Sequence, residues 1–459
     1  MKTPHMDELA ATGTLFQRAY VQYSFCAPSR NSFLTGRRPD ATQAWSFMDH
    51  FRERGVGDQW TTLPEYFRTH GYWTVGAGKL FHPGLPPNFD AADAAGNKLS
   101  FDEFYYPGSC SGTTNGFPVL QDGAKKVVRC VDATSSCPSS AMTAGDGKHW
   151  CALDVDKLDA PLQDTLSANR TVQWLHEAKA RADADIAAGN APTPFFLGVG
   201  FHKPHLPFQY PSTMHGLYPP AEEIAQAKHP DSPKGMPMVA WHEGNFDNTY
   251  TTPCIGVDQS TYRRAYYTAV SFTDNNVGVV LGALKDLGFA GNTVVSLIGD
   301  HGWQLGEMNL WRKMTNFELG VRVPLIIRAP WHAASIGVKS PLLVEAVDLF
   351  ATLADVAGLP APPATEKLEG RSFAAVFETP TSATLNATFK YAFSQFAKRL
   401  TKAGELPGHV RCVGYLAVDA SRLLEMVLER LHAPFLTPPL SPSTFLTPPS
   451  PRAAYGAVG

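Results

Sequence analysis

A cysteine stands four residues ahead of an arginine in Cys26-Ala27-Pro28-Ser29-Arg30, and the run continues as Phe33-Leu34-Thr35-Gly36-Arg37. On a helix this spacing puts the two side chains one turn apart, so the guanidinium can offset negative charge that develops at position 26. A lone cysteine before a helix is more often a buried structural residue. Three further clusters argue for chemistry here. Gly78-Lys79-Leu80-Phe81-His82-Pro83-Gly84 offers an ammonium and an imidazole. Phe201-His202-Lys203-Pro204-His205-Leu206-Pro207-Phe208 offers two imidazoles and a second ammonium. Gly299-Asp300-His301-Gly302-Trp303-Gln304-Leu305-Gly306-Glu307 offers a carboxylate able to bind a hard divalent cation, and Trp311-Arg312-Lys313 follows it. His202 and His205 could also ligate a transition metal, but no third and fourth ligand is evident nearby.

These clusters follow apolar, β-rich runs: Trp73 to Ala77, Pro194 to Gly200 and Thr293 to Gly299, with a fourth run at Val323 to Arg328. Helical patterns lie between them, at Thr62 to His70, Asp164 to Ala182, about Ser260 to Leu287, and Val344 to Ala357. Gly71 and Gly288 sit where helices should end. The alternation predicts an α/β fold around a buried sheet, whose carboxyl edge is where sites of this class gather. Proline and glycine punctuate Pro83 to Pro107 and Pro207 to Pro237, which predicts long surface loops around the site.

In this order and approximate spacing, the four clusters resemble the motifs of the sulfatases of the alkaline phosphatase superfamily, especially the iduronate-2-sulfatase type, from about Thr3 to about Ala357. The resemblance implies an alkaline-phosphatase-like α/β fold, with a large central mixed β-sheet flanked by helices and a truncated smaller C-terminal subdomain. It also implies a sulfuric ester hydrolase acting on a sulfated sugar or glycosaminoglycan. In that family the cysteine is converted by a formylglycine-generating enzyme to formylglycine. One hydroxyl of its hydrate attacks sulfur, and deprotonation of the other expels sulfate. Carried onto this sequence, the pattern makes Cys26 the nucleophile, Arg30 the diol clamp, and Lys79 and Lys313 the sulfate grip. His82 becomes the base, and His205 the sulfate-facing residue that protonates the departing oxygen. Calcium is expected at Asp300, His301 and the converted Cys26.

Family members begin with a strand ending in paired aspartates that bind the calcium, and this sequence starts after that point. The expectation is an incomplete version of a longer, lysosomal or secreted protein. Asp300, His301 and Cys26 fall short of the roughly six to eight oxygen ligands that calcium takes, so metal binding should be weak. The rival readings are a phosphomonoester or phosphonate hydrolase of the same superfamily, and an inactive sulfate-ester-binding homologue.

The chain has 459 residues, 44% hydrophobic and 18% charged, which suffices for an extensive core. A formal net charge of −3, with Lys and Arg scattered, argues against a nucleic-acid partner. No apolar run approaches the roughly 20 residues of a membrane span. Cys110, Cys130, Cys137 and Cys151 share one Gly/Ser/Thr-rich stretch, which predicts a disulfide-stapled loop rather than a zinc site. Three regions are expected: a catalytic domain at 1–370, a partial C-terminal subdomain at 371–420, and a Pro/Ser-rich disordered tail at 421–459 that repeats Phe-Leu-Thr-Pro-Pro from Phe435 and Phe445.

Overall fold

In the computed structural model the described residues are 1–46, 49–52, 55–82, 99–107, 139–147, 149–236, 240, 258–398 and 410–417. The tail at 421–459 and the cysteines Cys110, Cys130 and Cys137 lie outside them, as do much of the Pro83 to Pro107 segment and the end of the Pro207 to Pro237 segment.

The chain opens with helix α1 (Pro4–Ala11), strand β1 (Thr14–Tyr20) and helix α2 (Cys26–Thr35). Helix α3 (Leu63–Thr69) is fixed by a capping box between Thr62 and Glu65, and Gly71, at φ 87°, turns the chain out of it into strand β2 (Trp73–Gly78). Short strands β3 (Glu103–Tyr105), β4 (Met142–Gly145) and β5 (Trp150–Leu153) precede the long helix α4 (Gln163–Ala187). Strands β6 (Phe195–Gly200) and β7 (Phe208–Pro211) lead to helix α5 (Gln259–Asp286) and strand β8 (Val295–Ile298). The hairpin β9 (Gln304–Leu305) and β10 (Trp311–Arg312), strands β11 (Arg322–Arg328) and β12 (Val338–Glu345), helix α6 (Leu349–Val356), and strands β13 (Tyr391–Lys398) and β14 (Val410–Ala417) follow, with short helices at Pro39–Thr42, Glu318–Val321 and Ala383–Thr388 and several 3-10 turns between elements.

The mixed sheet expected from the alternating pattern is present as two portions. One has the order β12-β1-β11-β8, with β1 parallel to β12 and antiparallel to β11. The other is β3-β2-β6, parallel throughout. Among the described residues, β6 and β8 each keep one edge without a partner strand. Phe16, Leu325, Ile327, Leu342 and Val344 pack the first sheet against Phe373 and Phe377. Val75 and Ala77 of β2 pack on Trp174 and Ala178 of α4. Such layers of helix on sheet bury apolar surface worth about 25 cal/mol per Å², and they fix the strand ends that carry the site.

Two sequence expectations need correction. The helix expected from Val344 starts only at Leu349, because Val344 and Glu345 pair with Ala19 and Tyr20 as the end of β12. The segment from Pro207 is not all surface loop: Phe208, Gln209 and Tyr210 are buried, and β7 pairs in parallel with β5. Of the four clustered cysteines only Cys151 is described, buried in β5; the proposed pairing therefore lies outside the described residues. Among the described residues no helix is long and apolar enough to cross a membrane.

Candidate active site

Cys26 is the first residue of α2 and is completely buried. Helix dipoles sum to partial positive charge at such an end, which favours an anion there. Around its sulfur, Lys313 Nζ lies 2.8 Å from Sγ, His301 Nε2 3.2 Å and Lys79 Nζ 3.4 Å. His82 and His205 also share hydrogen bonds with Cys26. Residues far apart in sequence therefore meet at one atom.

Strand ends deliver them. Lys79 follows β2, where Gly78 takes φ 71° and a Cβ on it would lie 2.2 Å from the Gly200 carbonyl oxygen. Only glycine fits that turn. The Lys79 N–H donates to the same oxygen at 2.7 Å, which locks the ends of β2 and β6 together. His205 follows β6, and Asp300 and His301 follow β8. Lys313 follows the β9–β10 hairpin, between Arg312 at φ 70° and Met314 at φ 76°. Left-handed backbone at residues other than glycine costs on the order of 1 kcal/mol each and tends to cluster at functional sites. Ser24 holds this segment, its carbonyl accepting from Met314 N–H at 3.1 Å and its hydroxyl from Thr315 N–H at 2.9 Å.

Arg30 lies on the expected face, but its bonds go elsewhere than Cys26. Nε and Nη2 meet Asp300 Oδ2 at 3.0 and 2.9 Å, and Nη1 donates to the carbonyls of Lys79 and Leu80. Arg30 thus braces the ends of β2 and β8. With Asp300 paired to it, Lys79 and Lys313 are the ammonium groups that face the sulfur.

The surroundings set proton positions. Burial would raise the Cys26 thiol, but Lys313, Lys79 and His301 outweigh burial and hold it well below the ordinary thiol range. Burial lowers Lys79 and His82. Burial, then Lys313 and Lys79, press His205 down to about 3. His82 and His205 are therefore neutral near pH 7 and able to accept protons. His205 Nδ1 lies 2.7 Å from the Leu206 carbonyl, which can only accept, so Nδ1 carries the hydrogen and Nε2 is left for Cys26. His301 is fixed the same way by the Gly302 carbonyl at 2.9 Å. Burial would raise Asp300, yet Arg30 and His301 hold it down to about 2.

Cys26, Asp300 and His301 bring ligand atoms within 4.8 Å of one another. Calcium wants about six to eight oxygens, whereas this cluster offers one carboxylate already bonded to Arg30, one sulfur, and an imidazole nitrogen 3.3 Å from Lys313 Nζ. Among the described residues the donor set does not make a calcium shell. His202 and His205 pack edge to face with centroids 4.8 Å apart, and among the described residues no third ligand joins them. Sequence reasoning missed Asp164, on the first turn of α4, which accepts from the backbone N–H groups of His202 at 2.6 Å and Lys203 at 2.8 Å. Its only signal was an acidic residue at a helix start, which is common.

The sheet, its flanking helices and a cluster of cationic and imidazole groups at the carboxyl edge define an alkaline-phosphatase-like α/β protein. Solved structures agree on the fold. The phosphonate monoester hydrolase SpPMH from Silicibacter pomeroyi superposes with a TM-score of 0.60 at 22% identity, over 86% of this chain and 75% of that one. BT4656, solved in complex with its substrate D-glucosamine-2-N,6-O-disulfate, gives 0.57 at 19% identity, over 91% of this chain and 82% of that one. A Sulfatase family model matches residues 1–359, and the chain belongs to the sulfatase family. It is similar to iduronate 2-sulfatase of Homo sapiens, 36% identical over 404 residues that cover 79% of this chain and 66% of the relative. Arylsulfatase K of Bos taurus is 25% identical, with 79% of this chain and 59% of the relative covered. The chain thus spans about two thirds of the length of these iduronate 2-sulfatases.

Proposed function

We propose that this chain carries the catalytic centre of a sulfuric ester hydrolase acting on a sulfated sugar, with Cys26 converted to formylglycine. The observation that supports this most is the pair of buried ammonium groups, Lys79 and Lys313, 3.4 and 2.8 Å from Cys26 Sγ at the positive end of α2. In that reading Sγ stands where an oxygen on the converted carbon would lie. The hydrated aldehyde supplies a hydroxyl nucleophile for sulfur and a second hydroxyl whose deprotonation releases sulfate.

This chain's residues perform the rest. Lys79 and Lys313 bind sulfuryl oxygens and offset the charge that builds on them. His82, held neutral by burial, accepts the hydroxyl proton. Burial and the two ammonium groups keep His205 neutral; the negative sulfuryl group opposes them, so that Nε2 can take up a proton from solvent as substrate binds and pass it to the leaving oxygen. Arg30 keeps the strand ends in register, acting through Asp300 and the carbonyls of Lys79 and Leu80 rather than as a direct clamp. The similarity to iduronate 2-sulfatase supports a uronic-acid-containing substrate, a formylglycine-generating enzyme as maturation partner, and a lysosomal or secreted location.

The test compares matured protein with Cys26→Ala on 4-nitrophenyl sulfate and 4-nitrophenyl phosphate. Turnover of the sulfate that disappears in the variant is expected. A phosphate rate above the sulfate rate would favour a phosphoryl-transfer enzyme, and full sulfate turnover in Cys26→Ala would remove the nucleophile assignment.

A further inference from the structure

We propose that Lys203 and Asp164 form a buried clasp that aims His205 at Cys26, so that Lys203 is a positioning residue for the chemistry there. The inference rests on the reading of His205 as a sulfate-facing residue.

Lys203 sits two residues before His205, yet its side chain turns away from the reacting atoms. Only 6% of it is exposed, and Nζ donates to the carbonyl oxygens of His205 at 3.1 Å and Pro207 at 2.8 Å. Those two carbonyls flank that of Leu206, which receives the His205 Nδ1 hydrogen at 2.7 Å. Holding the first and third carbonyls sets the orientation of the second, which decides where the imidazole points. Pro204 and Pro207 have no N–H, and the segment's internal backbone bond is His205 N–H to the His202 carbonyl at 3.0 Å. Without Nζ, the His205 and Pro207 carbonyls would lose the donor that compensates for their burial.

The clasp is anchored at its other end. Asp164, 2% exposed, takes the N–H groups of His202 and Lys203 on its two oxygens, and Thr273 of α5 donates its hydroxyl to the Lys203 carbonyl at 2.9 Å. The segment is therefore tied to α4, to α5 and to itself. His202 adds a wall. Its ring is buried and lies edge to face against that of His205, burial and then Lys203 and Lys79 keep it neutral, and among the described residues neither nitrogen has a hydrogen-bond partner. Burial brings Lys203 down to about 8 while Asp164 opposes the change, so at neutral pH most molecules keep all three ammonium donors.

The test uses the full chain and does not need turnover. Nitrogen NMR of histidine-labelled protein should show one fixed tautomer for His205, with the hydrogen on Nδ1. In Lys203→Met the signals should move to averaged positions, and inorganic sulfate should bind about tenfold more weakly, the size expected when one good hydrogen bond is lost. Adding Lys203→Met to His205→Ala should weaken sulfate no further than His205→Ala alone, because the lysine acts through the imidazole. Lys203→Gln, which keeps one amide donor, should fall between and serves if the methionine variant does not fold. Unchanged His205 signals in either variant, or additive losses in the double variant, would overturn the clasp. Sulfate binding undiminished in His205→Ala would instead sink the reading of His205 itself.

Discussion

Alanine at Gly200 should push Lys79 away from Cys26 while alanine two residues earlier should not. Gly200 does not occupy the left-handed region, so the alanine backbone itself is unstrained. Its Cβ, however, would lie 1.9 Å from the Lys79 carbonyl oxygen, 2.2 Å from the Lys79 carbonyl carbon and 2.9 Å from Leu80 N. All three are backbone atoms that no rotamer change can move, and real Cβ contacts almost never fall under 3.0 Å, so the two strand ends must part by at least about 1.1 Å. That also breaks the 2.7 Å bond from Lys79 N–H to the Gly200 carbonyl. Displacing a binding group by about 1 Å costs on the order of 100-fold in rate, and overpacking of this kind destabilises by about 1–3 kcal/mol. Gly198 is the internal control: a Cβ there meets the end of the Leu80 side chain at 2.8 Å, which can rotate aside. Thermal melting, inorganic sulfate affinity and 4-nitrophenyl sulfate turnover should separate the pair. Wild-type sulfate affinity and turnover in Gly200→Ala, or equal damage in Gly198→Ala, would refute the reasoning.

Two further outcomes follow from the charges at the site. His205 stands at about 3 in the ligand-free site, and an anion about 4 Å away at an effective dielectric near 20 contributes about 4 kcal/mol, enough to lift it by roughly three pH units. Because the sulfate-bound form then holds more protons, sulfate should bind more tightly as pH falls from about 6 toward 3; calorimetry showing affinity flat or falling over that range would contradict the placement of sulfate beside His205. Arg30→Met leaves the half-buried Asp300 carboxylate without its guanidinium and should destabilise the fold by about 1–3 kcal/mol in denaturant melts, with Arg30→Lys intermediate. An unaltered melting curve for the methionine variant would show that the pair is not a brace.

The strands that carry the site were legible because each is a short apolar run ending in glycine before polar residues: Gly78 before Lys79, Gly200 ahead of His202, Gly299 before Asp300. Helix α3 was legible from its pattern over Thr62 to His70 and from Gly71, and its ends are fixed by local bonds, a capping box between Thr62 and Glu65 and the Gly71 N–H to the Arg68 carbonyl. Strand β1 escaped notice because Thr14-Leu15-Phe16-Gln17-Arg18-Ala19-Tyr20 has no clean alternation, and what makes it a strand is pairing with β11 and β12, more than 300 residues away. The roles of Arg30 and Lys203 were hidden for a related reason. Their partners are largely backbone carbonyls, which every residue has, so only the folded chain decides which ones they reach. The motif makes Asp300 a candidate metal ligand, but no motif shows that its carboxylate also meets Arg30, two sequence-distant charges brought within 2.9 Å.

The atom that stands at position 26 decides the chemistry. The mass of the tryptic peptide from Ala19 to Arg30, taken from protein co-produced with a formylglycine-generating enzyme and active on 4-nitrophenyl sulfate, measures it directly. The peptide should be lighter than its cysteine form, as replacement of the thiol by an aldehyde requires. A peptide of full cysteine mass in protein that still cleaves the sulfate ester would contradict the account.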